Sequence, residues 1–133
     1  EAPGLARDYE KTLGAVVTMM KAAAPGASIL IAAPLDRAEN GEGGGFRTKP
    51  IIKKLVAAQR NVAKESGVAF WNTFEAMGGE GSMAKWTKNG LGGGDLTHPT
   101  PAGAEVIGDL LFKSLTTGFE AWLSTRPGRD QEK

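Results

Sequence analysis

The stretch ASILIAAP, residues 27–34, decides how this chain is read. It is a short apolar run with Pro25 and Gly26 just before it and Pro34 at its end. Eight residues without polar alternation suit a strand buried on both faces, as strands of parallel sheets are. A second run of this kind, VAFWNTF, follows at residues 68–74 and passes into a short helical piece around Phe74–Met77. Upstream, residues 6–26 read as a helix: Leu13, Val16, Val17 and Met20 recur at helical spacing, Tyr9 lies one turn earlier, and Pro25 and Gly26 stop it. Between the strands a glycine-rich loop leads to Thr48, expected to cap a helix with Pro50 in its first turn. Ile51, Ile52, Leu55, Val56, Gln59 and Val62 give that helix its stripe, and Gly67 ends it.

The order helix, strand, helix, strand predicts a right-handed βαβ unit in an α/β fold with a parallel sheet. A last helix is expected after Thr100, with Pro101 at its first position and Val106, Leu110, Leu111, Leu115, Phe119 and Trp122 on its buried side. Two parallel strands make a poor sheet, and residues 28–33 would leave an apolar edge unpaired. Residues 1–124 are therefore expected to be the C-terminal portion of a larger single domain, with 125–133 a polar tail. The opening residue, Glu1, is what a processed chain or a fragment would show.

At 133 residues the chain is the size of one domain, and its 16 basic against 15 acidic residues give no electrostatic argument for nucleic acid or a membrane surface. There is no cysteine, hence no thiol chemistry. No apolar run approaches the ~18 residues that span a bilayer. A single histidine and no cysteine leave little for a metal, so neither metal nor cofactor is expected. Glycines cluster at 41–45, 78–81 and 90–94, between periodic segments, as loops do. NGEGGGFRTK is not a phosphate-binding loop, because Phe46 stands where a lysine is needed, and GLGGGD is not set between a strand and a helix. Lys53, Lys54 and Arg60 read as the solvated face of the second helix.

The chemistry-bearing stretch is GGGDLTHPTPAGAEVIG, residues 92–108. Asp95 and His98 lie three apart in a loop that Pro99, Thr100 and Pro101 stiffen just ahead of a helix. A base that takes a nucleophile's proton needs a carboxylate on its opposite ring nitrogen, and one turn can supply both. The spacing alone equally fits a turn-forming Asp beside a surface histidine. Ser82, flanked by glycine, is a candidate nucleophile, a helix cap or part of a substrate wall, but it does not fit G-x-S-x-G. Met83 and Trp86 are placed on that wall with it. Trp71 and Trp86 could face a sugar, although Trp71 in an apolar strand also reads as core.

DLTHPTPAG followed by an apolar helix resembles the last block of the GDSL-type, or SGNH, ester hydrolases. YEKTLGAVVTMMKAAAPGASILIAAP resembles the helix and strand after that family's third block. GVAFWNTFEAMGGEGSMAKW resembles the segment before the last block in members acting on carbohydrate esters, among them bacterial cell-wall acetylesterases. The resemblance implies a three-layer α/β/α, flavodoxin-like fold, with Asp95 orienting the base and His98 acting as base on a small acyl ester. It also implies export, as for the cell-wall relatives. The family's serine and its oxyanion Gly and Asn belong to blocks that precede this material, and nothing in residues 1–27 matches the serine block. The partner implied is the N-terminal half of the same enzyme. The rivals are a noncatalytic α/β binding module and a self-contained hydrolase using Ser82.

Overall fold

The computed structural model describes residues 5–126. In chain order these form α1 (Leu5–Ala23), β1 (Leu30–Ala32), β2 (Ala38–Asn40), a 3-10 turn (Glu42–Gly44), β3 (Phe46–Thr48), α2 (Pro50–Ser66), β4 (Ala69–Trp71), α3 (Thr73–Ala76), α4 (Ser82–Lys88) and α5 (Pro101–Ser124). β1 and β4 pair in parallel, Leu30 opposite Ala69 and Ala32 opposite Trp71. The ladder gains one bond at each end, Ala69 N–H to the Ile29 carbonyl and Ala33 N–H to the Trp71 carbonyl.

The side chains of this sheet alternate. Ile31 is buried and packs with Val17 of α1 and Val62 and Ala63 of α2, joined by Leu13, Ile29, Val68 and Phe70. Ala33, Ile52, Val56 and Phe74 continue the core along α2. Leu30, Ala32 and Ala69, on the opposite face, are exposed. The expected coverage of both faces is thus corrected: among the described residues only one face is well covered. On the other, Trp71 reaches α5 through Nε1–H···Oγ of Ser114 at 3.2 Å. The expected strand over 27–34 is likewise cut to three residues, because β4 offers only three partners.

α2 is set by its ends. Pro50 occupies the first turn, where its missing N–H has no helical acceptor to lose. Gly67, at φ +62°, ends the helix, and Val68 N–H returns to the Ala63 carbonyl in the Schellman pattern. Thr48 is not the cap expected of it. It is buried at the end of β3, where its Oγ1 accepts from Gly81 N–H at 2.8 Å. The cap position falls to Lys49, which makes no side-chain cap bond.

The glycine-rich segment after β1, expected as a loop, holds an antiparallel hairpin of β2 and β3. Glu39 and Arg47 face each other across it and form an ion pair, and Gly43 and Gly44 take positive φ at its tip. A third cluster lies beyond the sheet: Ala38, Met77, Met83 and Trp86, with Leu91, Leu96, Val106 and Ile107 against it. α5 begins here. Its expected buried side holds for only half its length. Val106, Leu110 and Leu111 are half-buried, but Leu115, Phe119 and Trp122 are exposed, since no other helix or strand among the described residues covers them. Phe119 and Trp122 stack on each other, and Arg126 lies over Trp122. The rest of the expected tail, 127–133, lies outside the described residues. Among the described residues, no helix is long and apolar enough to cross a membrane.

Candidate active site

The segment between α4 and α5 is a loop closed by its own backbone. Thr100 N–H donates to the Leu91 carbonyl at 2.9 Å, and Gly93 N–H to the His98 carbonyl at 2.7 Å. Gly92 and Pro99 form an antiparallel bridge between these two bonds. Thr100 also welds the loop to α5, its Oγ1 donating to the Gly90 carbonyl at 2.7 Å and accepting from Gly103 N–H at 3.2 Å. Gly103 touches the neck of the loop so closely that a Cβ there would stand 2.0 Å from the Leu91 carbonyl oxygen.

Beyond the neck, Asp95 organises the tip. One carboxylate oxygen accepts the backbone N–H groups of Thr97 and His98, each at 3.0 Å. The other lies 2.6 Å from His98 Nδ1. An ionised carboxylate only accepts, so this contact places the proton of the neutral ring on Nδ1 and leaves Nε2 as a lone-pair base. No described residue occupies Nε2, and the His98 side chain is 77% exposed. The hydrogen bond from the imidazole, and then those from the His98 and Thr97 amides, hold the Asp95 carboxyl well below the usual carboxylate range. With Asp95 53% exposed, water screens the pair, and its worth is orientation rather than stability. The turn depends on Leu96 at φ +56°, the one non-glycine positive φ among the described residues, a conformation costing roughly 1–2 kcal/mol for an L-residue.

The loop is braced from behind. Ala38 N–H, at the start of β2, donates to the Leu96 carbonyl at 2.9 Å. The last turn of α4 holds it twice more, through Leu91 N–H to the Trp86 carbonyl and Thr87 Oγ1–H to the Gly93 carbonyl. α4 in turn rests on Asp36, a fully buried carboxylate whose Oδ2 accepts Met83 N–H at 2.9 Å, with Ser82 Oγ at 3.5 Å. Sequence reasoning missed Asp36. Nothing in its own stretch of sequence marks it, because its partners lie far along the chain.

Asp95 and His98 are therefore brought together. Ser82, Met83 and Trp86 sit together too, but facing inward and buried, Ser82 and Met83 against Asp36 and Trp86 with Nε1–H on the Met77 carbonyl. Ser82 is the first residue of α4, and Gly81 is its cap. Trp71 is half-buried. A cleft of about 440 Å³ lies elsewhere, between α2 and α3, lined by Lys53, Arg60, Asn72, Phe74 and Glu80 among others; no residue of the Asp95–His98 loop lines it.

A solved structure of a peptidoglycan O-acetylesterase superposes with a TM-score of 0.81 at 25% identity, over 91% of this chain and 35% of that one. The esterase domain of the ORF1 protein of a zebrafish retrotransposon shares the fold, with a TM-score of 0.60 at 20% identity over 85% of this chain and 60% of its own. This chain thus spans about a third of the first structure and three-fifths of the second. A search of curated protein sequences gave no match. The profile of the GDSL-like lipase/acylhydrolase family matches residues 2–106, most of the length and all of the Asp95–His98 loop, and the chain belongs to that family.

Proposed function

We propose that this chain is the C-terminal portion of a serine ester hydrolase that cleaves small acyl esters, O-acetyl groups on carbohydrate in particular. The observation that carries the reading is the 2.6 Å contact of Asp95 Oδ2 with His98 Nδ1, on an imidazole whose Nε2 is open to solvent. In this mechanism His98 Nε2 takes the proton of a serine hydroxyl as its oxygen attacks the ester carbonyl. Asp95 stabilises the imidazolium, which then protonates the departing alcohol. Water, deprotonated by the same nitrogen, frees the carboxylic acid and restores the serine. No step calls for a metal or cofactor.

The serine and the oxyanion donors are assigned to polypeptide N-terminal to this segment. Three features favour that assignment: the unpaired edge and bare apolar face of the two-stranded sheet, the exposed apolar stripe on α5, and the short span of the chain against the peptidoglycan O-acetylesterase. Ser82 does not suit the nucleophile's role, because its hydroxyl is buried against Asp36. Ser82, Met83 and Trp86 are assigned to support of the loop rather than to a substrate wall.

Hydrolysis of p-nitrophenyl acetate tests the reading. The isolated chain should be nearly inactive, and a longer polypeptide or a recombined pair that adds the N-terminal portion should be active, with His98→Ala abolishing turnover. Robust turnover by the chain alone, lost in Ser82→Ala, would establish a self-contained hydrolase instead. Inactivity in every arrangement would leave a noncatalytic module.

A further inference from the structure

We propose that Asp36 is a positioning residue for the Asp95–His98 pair, acting through α4. Its carboxylate is wholly buried and no described residue donates to its Oδ1. An acid in such a place is poorly explained as ordinary packing, since an apolar side chain of similar volume would fill the site without the desolvation of a polar group. What an apolar residue could not do is accept from the buried first turn of α4. Asp36 Oδ2 accepts Met83 N–H at 2.9 Å and lies 3.5 Å from Ser82 Oγ, while its own N–H meets Met77 Sδ at 3.1 Å. Met77 is tied onward to α4, its carbonyl accepting Trp86 Nε1–H at 2.9 Å. The helix is therefore gripped at both turns around one buried acid.

The far end of α4 carries the loop. Thr87 Oγ1–H reaches the Gly93 carbonyl at 3.1 Å, and Gly92 is so close to α4 that a Cβ would stand 2.7 Å from Thr87 Oγ1 and 3.0 Å from Met83 Sδ. Two residues beyond Asp36, Ala38 N–H holds the carbonyl of Leu96, the residue in the left-handed conformation. Residues 36–38 thus fix both supports of the turn that brings Asp95 to His98. Releasing the acid frees α4 to shift, and with it the neck of the loop.

The inference rests on the esterase reading for its consequence in catalysis, but its test reads geometry and needs no substrate. His98 is the only histidine, so its ring nitrogens are identifiable in a 15N-labelled sample of the whole chain. The wild-type neutral ring should show the Nδ1–H tautomer. Asp36→Asn, whose amide oxygen still accepts from Met83 N–H, should retain it. Asp36→Leu, which fills the space but accepts nothing, should lose it while core amides keep their exchange protection. A folded Asp36→Leu with the tautomer intact overturns the proposal, as does its loss in Asp36→Asn. Where Asp36→Leu fails to fold, Thr87→Val carries the test: it cuts only the bond from α4 to Gly93, and an unaltered His98 signature there overturns the proposal. Failure of esterase turnover alone leaves these tautomer results standing, so the two readings fail separately.

Discussion

The two halves of α5 carry the same kind of apolar pattern and meet opposite fates. In the first half, Gly103 is buried against the Leu91 carbonyl, and Val106 and Ile107 pack with Met83, Leu91 and Leu96. In the second, Phe112, Leu115, Phe119 and Trp122 recur at helical spacing and stand exposed. At 100° per residue these four form a stripe about 150° around the helix from the one that holds α5 in place. An apolar stripe reports which face of a helix gains from burial; the element that buries it has to be found in the structure. The near half has such a neighbour, and through it α5 is built into the Asp95–His98 loop. The apolar stripe of the far half has none among the described residues, where only Ser114 meets Trp71, and it follows that the two halves should respond differently to change.

The largest effect belongs to the loop itself. If the esterase reading proposed above holds, His98→Ala in the longer, active polypeptide should lower kcat/KM by about 10²–10⁴-fold, the usual worth of a general base. Its unfolding free energy should move by no more than about 0.5 kcal/mol, because the side chain is mostly exposed. A denaturant titration beside the kinetics separates the two; a large loss of stability would mean that the ring is structural.

Next comes the near half of α5. Gly103→Ala should destabilise the chain by about 1–3 kcal/mol through overpacking, despite the better helix propensity of alanine. It should also disturb the Asp95–His98 contact, since the added methyl pushes on the neck of the loop. A melting temperature equal to wild type would show that the neck yields without cost. On the far half, Phe119→Glu with Trp122→Glu should change the stability of the isolated chain by roughly 0.5 kcal/mol or less and reduce its self-association in sedimentation. A marked loss of stability would show that the stripe is already covered, and would collapse the contrast.

The smallest effect is one of pH. The Asp95 carboxyl is held below the usual range, so it favours the folded loop above the unfolded carboxylate pKa, and that contribution is lost as pH falls through the folded pKa. The Thr97 and His98 amide resonances should therefore report an intact turn through about pH 4, where ordinary carboxylates are titrating. Movement of both amides at that pH would mean that Asp95 does not hold the turn.

What the sequence disclosed follows from range. The Asp95–His98 turn, the Thr100 cap and the Gly67 stop were legible because each is made by residues within a few positions of one another. The β2–β3 hairpin was hidden by its glycines, which read as loop until Glu39 is seen opposite Arg47. Thr48 has the residue type of a cap, and only a contact 33 positions away, with Gly81, gives it other work. Asp36 was invisible for the same reason: its partners, Ser82 and Met83, lie 46 and 47 positions on. Periodicity merged two apolar stripes of α5 into one buried side, because it carries no information on which of them meets a neighbour: Val106, Leu110 and Leu111 are half-buried, and Leu115, Phe119 and Trp122 are exposed.

The closed neck of the loop has a consequence in time as well as in space. A ring of about ten residues can close in roughly 10–100 ns, long before slower tertiary steps are complete. The Asp95–His98 turn can thus be laid out early by neighbours in the chain, and its final alignment is set when α4 docks on Asp36. Under the esterase reading proposed above, a substrate arriving later would meet a base already aimed, the entropy of aiming it spent in folding rather than at the barrier.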